Sequence, residues 1–166
     1  HEYFDLCARA RVEARIVASC DDFMGRTEWD RAVLRMMRPE ARYHEVGEVL
    51  AEPFYRTKWS GPPSGEEILY CTAGDSPLKG VEALLEALLL LRQSGVRSPR
   101  LRLAGGVAQS AAAKRMTKLL RTPALRGAVE LLGRCTPDQI AEELAQASAF
   151  VLPSRIENSP NALCEA

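Results

Sequence analysis

The chain has 166 residues, 22 basic and 22 acidic side chains and no net charge, which fits one or two small domains with real cores and offers no overall attraction to a polyanion. Its five cysteines (Cys7, Cys20, Cys71, Cys135, Cys164) are scattered without CxxC spacing, a pattern of reduced, mostly buried thiols in a cytoplasmic protein rather than of a disulfide framework or zinc site. No apolar run reaches the ~18 residues of a membrane span, and no signal peptide opens the chain.

In chain order, 1–12 carries Tyr3, Phe4, Leu6, Cys7 and Ala10 at helical spacing, and Arg15–Cys20 reads as a short strand. A turn through Asp21, Asp22 and Gly25 leads to a helix over Trp29–Met37, with Trp29, Ala32, Val33, Met36 and Met37 on one face. Thr27 is its expected N-cap and Glu28 its first-turn acid, which holds Arg26 at the mouth of the helix. Pro39 ends it, Arg42–Val46 is extended, and Glu48–Trp59 is an amphipathic, aromatic-rich connector. Ser60-Gly-Pro-Pro-Ser-Gly65 is the strongest breaker. The expected organisation is therefore the end of a first domain over 1–59, a linker over 60–65 and a second domain over 66–166.

Strands and helices then alternate. Strands are expected over Glu67–Ala73, Arg100–Ala104 (closed by Gly105-Gly106), Ala128–Leu132 and Ala149–Leu152. Helices are expected over Val81–Leu91, over 110–121, and from Thr136 to about Ala147, where Thr136 and Gln139 form a capping box. This alternation predicts right-handed βαβ units, hence an α/β fold with a Rossmann-like parallel sheet and helices on both faces. Ser159 and Pro160 suit the N-cap and first position of a last helix carrying Glu165, with Glu157 on the loop before it. The chain starts without methionine and stops a turn or two into that helix, as a fragment would.

Glu157 and Glu165 would thus lie at the carboxyl edge of the sheet, where α/β proteins bind ligands. A carboxylate accepts hydrogen bonds from two adjacent hydroxyls, which suits a sugar or a ribose diol; surface glutamates give the same pattern. The first strand-to-helix turn, Gly74-Asp-Ser-Pro-Leu-Lys-Gly80, falls at the same edge. Lys79 beside free helix N–H groups makes a phosphate site, although a broken loop with a solvated lysine reads alike, and this is not a Walker loop. His44 reads as structural or surface-exposed, and Trp29, Phe54, Tyr55 and Trp59 as core between domains rather than sugar platforms.

Glu157-Asn-Ser-Pro-Asn-Ala-Leu-Cys-Glu165 reproduces the glutamate–seven residues–glutamate motif of retaining glycosyltransferases of the GT-B fold, family four. Residues 65–166 resemble the donor-binding domain of that family, supported by Pro77-Leu-Lys-Gly80, the Leu132-Gly133 strand end and Ala149–Ser154. Gly25–Ala32 and Glu48 with Phe54-Tyr55 look like its bacterial polysaccharide-type branch. The resemblance implies a truncated donor domain behind the tail of an acceptor-side domain, inactive in isolation. It implies transfer of a sugar from a nucleoside-diphosphate-sugar substrate to a hydroxyl of a carbohydrate or lipid-linked acceptor, in polysaccharide or glycolipid synthesis. No cofactor and no metal is expected. By the same resemblance Glu157 meets the donor sugar as the catalytic carboxylate, Glu165 holds the ribose and Lys79 the diphosphate. Gly74, Gly80, Ser159 and Asn161 would be further donor contacts; Arg26 and Thr27 would face the cleft from the other domain, the alternative being that Arg26 simply pairs with Asp22 or Asp30. Two residues depart from the pattern: Gly74 stands where many members carry an arginine, and Cys164 where a glycine is common.

Between Glu86 and Glu130 there is no acidic residue, whereas Arg92, Arg97, Arg100, Arg102, Lys114, Arg115, Lys118, Arg121 and Arg126 all fall there. This is either a solvated face or a peripheral contact for anionic headgroups at the inner face of a membrane. The second choice supports a rival reading, a non-catalytic nucleotide-binding or membrane-associated interaction domain using the 92–126 face. No aromatic residue interleaves these charges, which argues against nucleic acid.

Overall fold

The computed structural model describes residues 2–63, 65–72, 77–95, 97–106 and 111–166. They form two compact units, His1–Val49 and Leu50–Ala166.

The first unit contains α1 (Glu2–Ser19), β1 (Asp22–Gly25), α2 (Glu28–Met37) and β2 (Arg42–Glu45). Helix α1 runs through the stretch expected to be a strand from Arg15 to Cys20. No glycine or proline interrupts 2–19, and a short apolar run such as Ile16-Val17-Ala18 does not by itself separate strand from helix. The end of α1 is closed from outside: Arg38 donates to the carbonyls of Val17 (3.1 Å) and Ala18 and pairs with Asp21. The strand sits later, where β1 pairs in parallel with β2 and places Phe23 beside Tyr43. Gly25 is needed there, because a Cβ would come within 2.5 Å of the Tyr43 hydroxyl, which itself donates to the Thr27 carbonyl at 3.0 Å. Helix α2 opens as expected. The Thr27 hydroxyl accepts from the Asp30 N–H at 3.1 Å and the Asp30 carboxylate accepts from the Thr27 N–H at 3.2 Å. Its buried residue is Leu34, not the expected stripe; Trp29 is 64% and Met36 84% exposed.

The second unit runs α3 (Glu52–Arg56), β3 (Ile68–Thr72), α4 (Val81–Gln93), β4 (Arg100–Ala104), α5 (Ala111–Leu120), β5 (Val129–Gly133), α6 (Pro137–Ala145), β6 (Ala149–Phe150) and α7 (Asn161–Glu165). Its four strands are parallel in the order β5-β4-β3-β6. Successive residues of a strand face opposite sides, and β3 uses both. Cys71 packs with Leu85 and Leu88 of α4 and Met116 of α5, while Tyr70 packs with Ala104 and Ala147, Ile140 and Leu144 of α6 lying against them. Helices therefore cover both faces, as the alternation predicts. The connector joins this unit. Trp59 Nε1 donates to the Ala147 carbonyl at 2.9 Å, the Ser60 N–H to the Ala145 carbonyl at 2.8 Å, and Arg56 pairs with Asp138. The units accordingly divide between Val49 and Leu50, ahead of the 60–65 breaker.

Candidate functional site

The strand order sets the position of the site. Chain order steps one way from β3 to β4 to β5, and then β6 returns to the other side of β3. Loops leaving neighbouring strands in opposite directions open a crevice at the carboxyl ends. The loop after β3 carries Lys79 and the loop after β6 carries Glu157. Across the crevice the Lys79 ammonium donates to Glu157 Oε1 at 2.6 Å. The Lys79 ammonium, and after it the Ser154 hydroxyl, holds the Glu157 carboxyl below the usual carboxylate range.

Backbone contacts lock the two loops together. Pro77–Lys79 forms a single 3-10 turn, and the Arg155 N–H donates to the Leu78 carbonyl at 2.8 Å. Gly80 follows with φ 66°, a left-handed value that favours glycine, and an added Cβ there would collide with the Pro153 carbonyl oxygen. The role of Gly80 is thus to let two backbones touch. Helix α4 starts immediately afterwards with no side-chain cap, so none of its first N–H groups is satisfied by a capping side chain.

A cavity of about 370 Å³ opens beside the ion pair, lined by Thr72, Lys79, Glu157, Ser159, Asn161 and neighbouring residues. Four of the expected site residues are therefore brought together. Glu165 is not among them. It lies on α7 beside a smaller cavity of about 100 Å³ with Trp59, Phe54 and residues of α6, and burial raises its carboxyl above the usual range. The N-cap of α7 is Pro160, without a side-chain hydrogen bond, rather than Ser159. Gly74 falls outside the described residues. Arg26 and Thr27 have local partners in the first unit: the Arg26 guanidinium pairs with Glu48, and Thr27 caps α2. His44 contacts Asp22 at 2.8 Å. Arg42 and then His44 hold the Asp22 carboxyl well below the ordinary carboxylate range.

Sequence reasoning did not single out Thr72, although its place at the carboxyl end of β3 signals it. It also missed the Arg155–Leu78 bond, which no motif encodes. Among the described residues no group of three or more His, Cys, Asp or Glu could hold a metal ion. No described helix is long and apolar enough to cross a membrane. Among the described residues the cavity is lined by one cation and one ionised carboxylate, partners for a phosphate and for hydroxyls side by side, and helix α4 begins two residues after the cation.

The family model described as "Glycosyl transferases group 1" matches residues 65–166. No curated protein matches the chain in sequence. Among solved structures, sucrose-phosphate synthase from Thermosynechococcus elongatus superposes with a TM-score of 0.76 at 19% identity, over 95% of this chain and 41% of that one. The pneumococcal O-GlcNAc transferase GtfA, in complex with UDP and GlcNAc, gives 0.66 at 13% identity, over 93% and 29%. A mutant of S. aureus TarM, in complex with Fondaparinux, alpha-GlcNAc-glycerol and UDP, gives 0.65 at 14% identity, over 94% and 30%. The chain spans less than half the length of each. These likenesses establish the fold, that of GT-B domains.

Proposed function

The chain belongs to the glycosyl transferases group 1 family, and from that premise we propose that the protein it represents transfers a sugar, with retention, from a nucleoside-diphosphate-sugar to a hydroxyl of a carbohydrate or lipid-linked acceptor in polysaccharide or glycolipid synthesis. The observation that carries this reading is the Lys79–Glu157 pair at the point where the strand order reverses. Lys79 and the start of α4 neutralise charge on the departing diphosphate. Glu157 accepts hydrogen bonds from donor-sugar hydroxyls, with Ser159 and Asn161 lining the same cavity. The role of Glu165 as ribose ligand rests on the motif spacing. Two superposed structures are complexes with UDP, which makes UDP the first nucleotide to try, with GDP beside it.

Thermal denaturation of the whole protein tests the reading. A nucleotide at a hundred times its Kd is expected to raise the Tm of the unit that binds it by about 5–10 °C, for a unit of about 150–250 residues that melts together. Lys79→Ala abolishes the shift, and Glu165→Ala reduces it if the ribose role holds. No shift with UDP or GDP would sink the proposal.

A second reading, peripheral membrane contact, is favoured by α5. Of the basic run, Arg100 and Arg102 pair with Glu66, Glu130 and Glu143, Arg97 donates to the Gly65 carbonyl, and Arg115 pairs with Glu82. Lys114 and Lys118 are exposed on the face of α5 opposite the buried Met116, and Arg121, also exposed, follows directly after the helix. Cosedimentation with vesicles containing phosphatidylglycerol, against pure phosphatidylcholine, checks this. Reversing those three charges is expected to abolish binding.

A further inference from the structure

Lys79 is the one cation among the described residues lining the 370 Å³ cavity, and its ammonium is already held by Glu157. The backbones behind the pair are fixed to each other by the Arg155–Leu78 hydrogen bond and the Gly80–Pro153 contact. The pair therefore opens by side-chain rotation, not by separation of the loops. The Lys79 side chain is 47% exposed and that of Glu157 23%, so an incoming anion reaches the lysine first.

Resting on the reading of the site as a nucleotide-sugar site, we propose that this ion pair is a charge latch opened by the donor's diphosphate, so that Glu157 is released to the sugar only when phosphate occupies Lys79. A diphosphate carries more charge than one carboxylate and takes the ammonium from it. The freed Glu157 is then an ionised group next to an anion, an unfavourable arrangement unless hydroxyls donate to it. The sugar of an intact donor supplies those hydroxyls. A nucleoside diphosphate without its sugar does not, and the carboxylate competes to recapture Lys79. The latch thus ties sugar recognition to phosphate occupancy and favours departure of the spent nucleotide over that of the donor.

Isothermal titration of the whole protein with inorganic diphosphate, UDP and GDP tests this, on wild type, Glu157→Gln and Lys79→Ala, each shown to be folded by its melting curve. Glu157→Gln keeps the shape and removes the competing charge. It is expected to bind UDP or GDP, and inorganic diphosphate, about three- to tenfold more tightly than wild type. Lys79→Ala is expected to bind all three more weakly. A gain in affinity is not a product of misfolding. Equal or weaker binding by Glu157→Gln overturns the latch. If Lys79→Ala weakens nucleotide binding while Glu157→Gln binds like wild type, the latch falls while the nucleotide-sugar reading stands. If none of the three ligands binds any folded variant, both fall.

Discussion

Gly80 combines a left-handed backbone with a carbonyl oxygen of Pro153 in the space a side chain would occupy. Gly80→Ala therefore meets two penalties at once, and is expected to cost at least about 2 kcal/mol in urea unfolding. The two cysteines nearest the chemistry behave differently. Burial pushes the Cys71 thiol up to about 11, whereas Cys164 is exposed. At pH 8 only about 0.1% of Cys71 is thiolate. Iodoacetamide is expected to label Cys164 in the folded protein and Cys71 only after unfolding, read by peptide mass spectrometry. The two glutamates of the motif respond to pH with opposite sign. Glu157, lowered by Lys79, contributes stability that is present above its unfolded pKa of about 4.3 and is lost as pH falls through its lower folded value. Glu165, raised by burial, favours its protonated form in the folded state, so a penalty develops as pH rises past the unfolded value. Glu165→Gln is thus expected to be more stable than wild type at pH 7, with the gain vanishing below about pH 4. Denaturant midpoints across pH decide this, and a gain that persists in acid counts against it.

Helix starts were the most readable elements, because a capping box is a local contract between side chains three residues apart. Thr136 with Gln139, whose side chain accepts from the Thr136 N–H at 2.8 Å, was legible in the sequence. So was the Thr27 cap, although its partner Asp30 was not. Thr136→Ala is expected to cost about 1 kcal/mol, measured by urea unfolding, and to loosen the docking of the 56–61 segment that leans on α6. The first unit was less readable for the opposite reason. Its strand β1 is Asp22-Phe-Met-Gly25, a poor intrinsic strand former that exists because β2 lies beside it. The more strand-like Arg15–Cys20 was free to continue a helix. The last cap shifted by one residue, from Ser159 to Pro160, a displacement local propensity does not resolve.

At the scale of the whole molecule, the sequence showed that a lysine and a glutamate share one sheet edge but not that they touch. Alternating strands and helices specify parallel pairing without specifying strand order. Only the placement of β6 next to β3, rather than beyond β5, brings Lys79 within 2.6 Å of Glu157. Glu165 illustrates the converse: spacing alone put it with Glu157, while the turn into α7 directs it to another cavity. The division after Val49 was hidden because Trp59 and Arg56 are held by α6, a partner that lies far along the chain. The β3–β6 pairing also has a consequence for how the chain acquires its structure. Ile68 and Ser148 hydrogen bond although 80 residues apart, so this contact closes the longest loop of the sheet, while Leu101 needs only Ala128. Loop closure is slower across longer separations. In pulsed hydrogen exchange during refolding, protection of the Leu101 amide is expected to precede that of Val151, which donates to Tyr70. The turn that carries Lys79 is pinned by Pro153 and Arg155, which follow β6, so the cation and its carboxylate reach their places together, with the final strand.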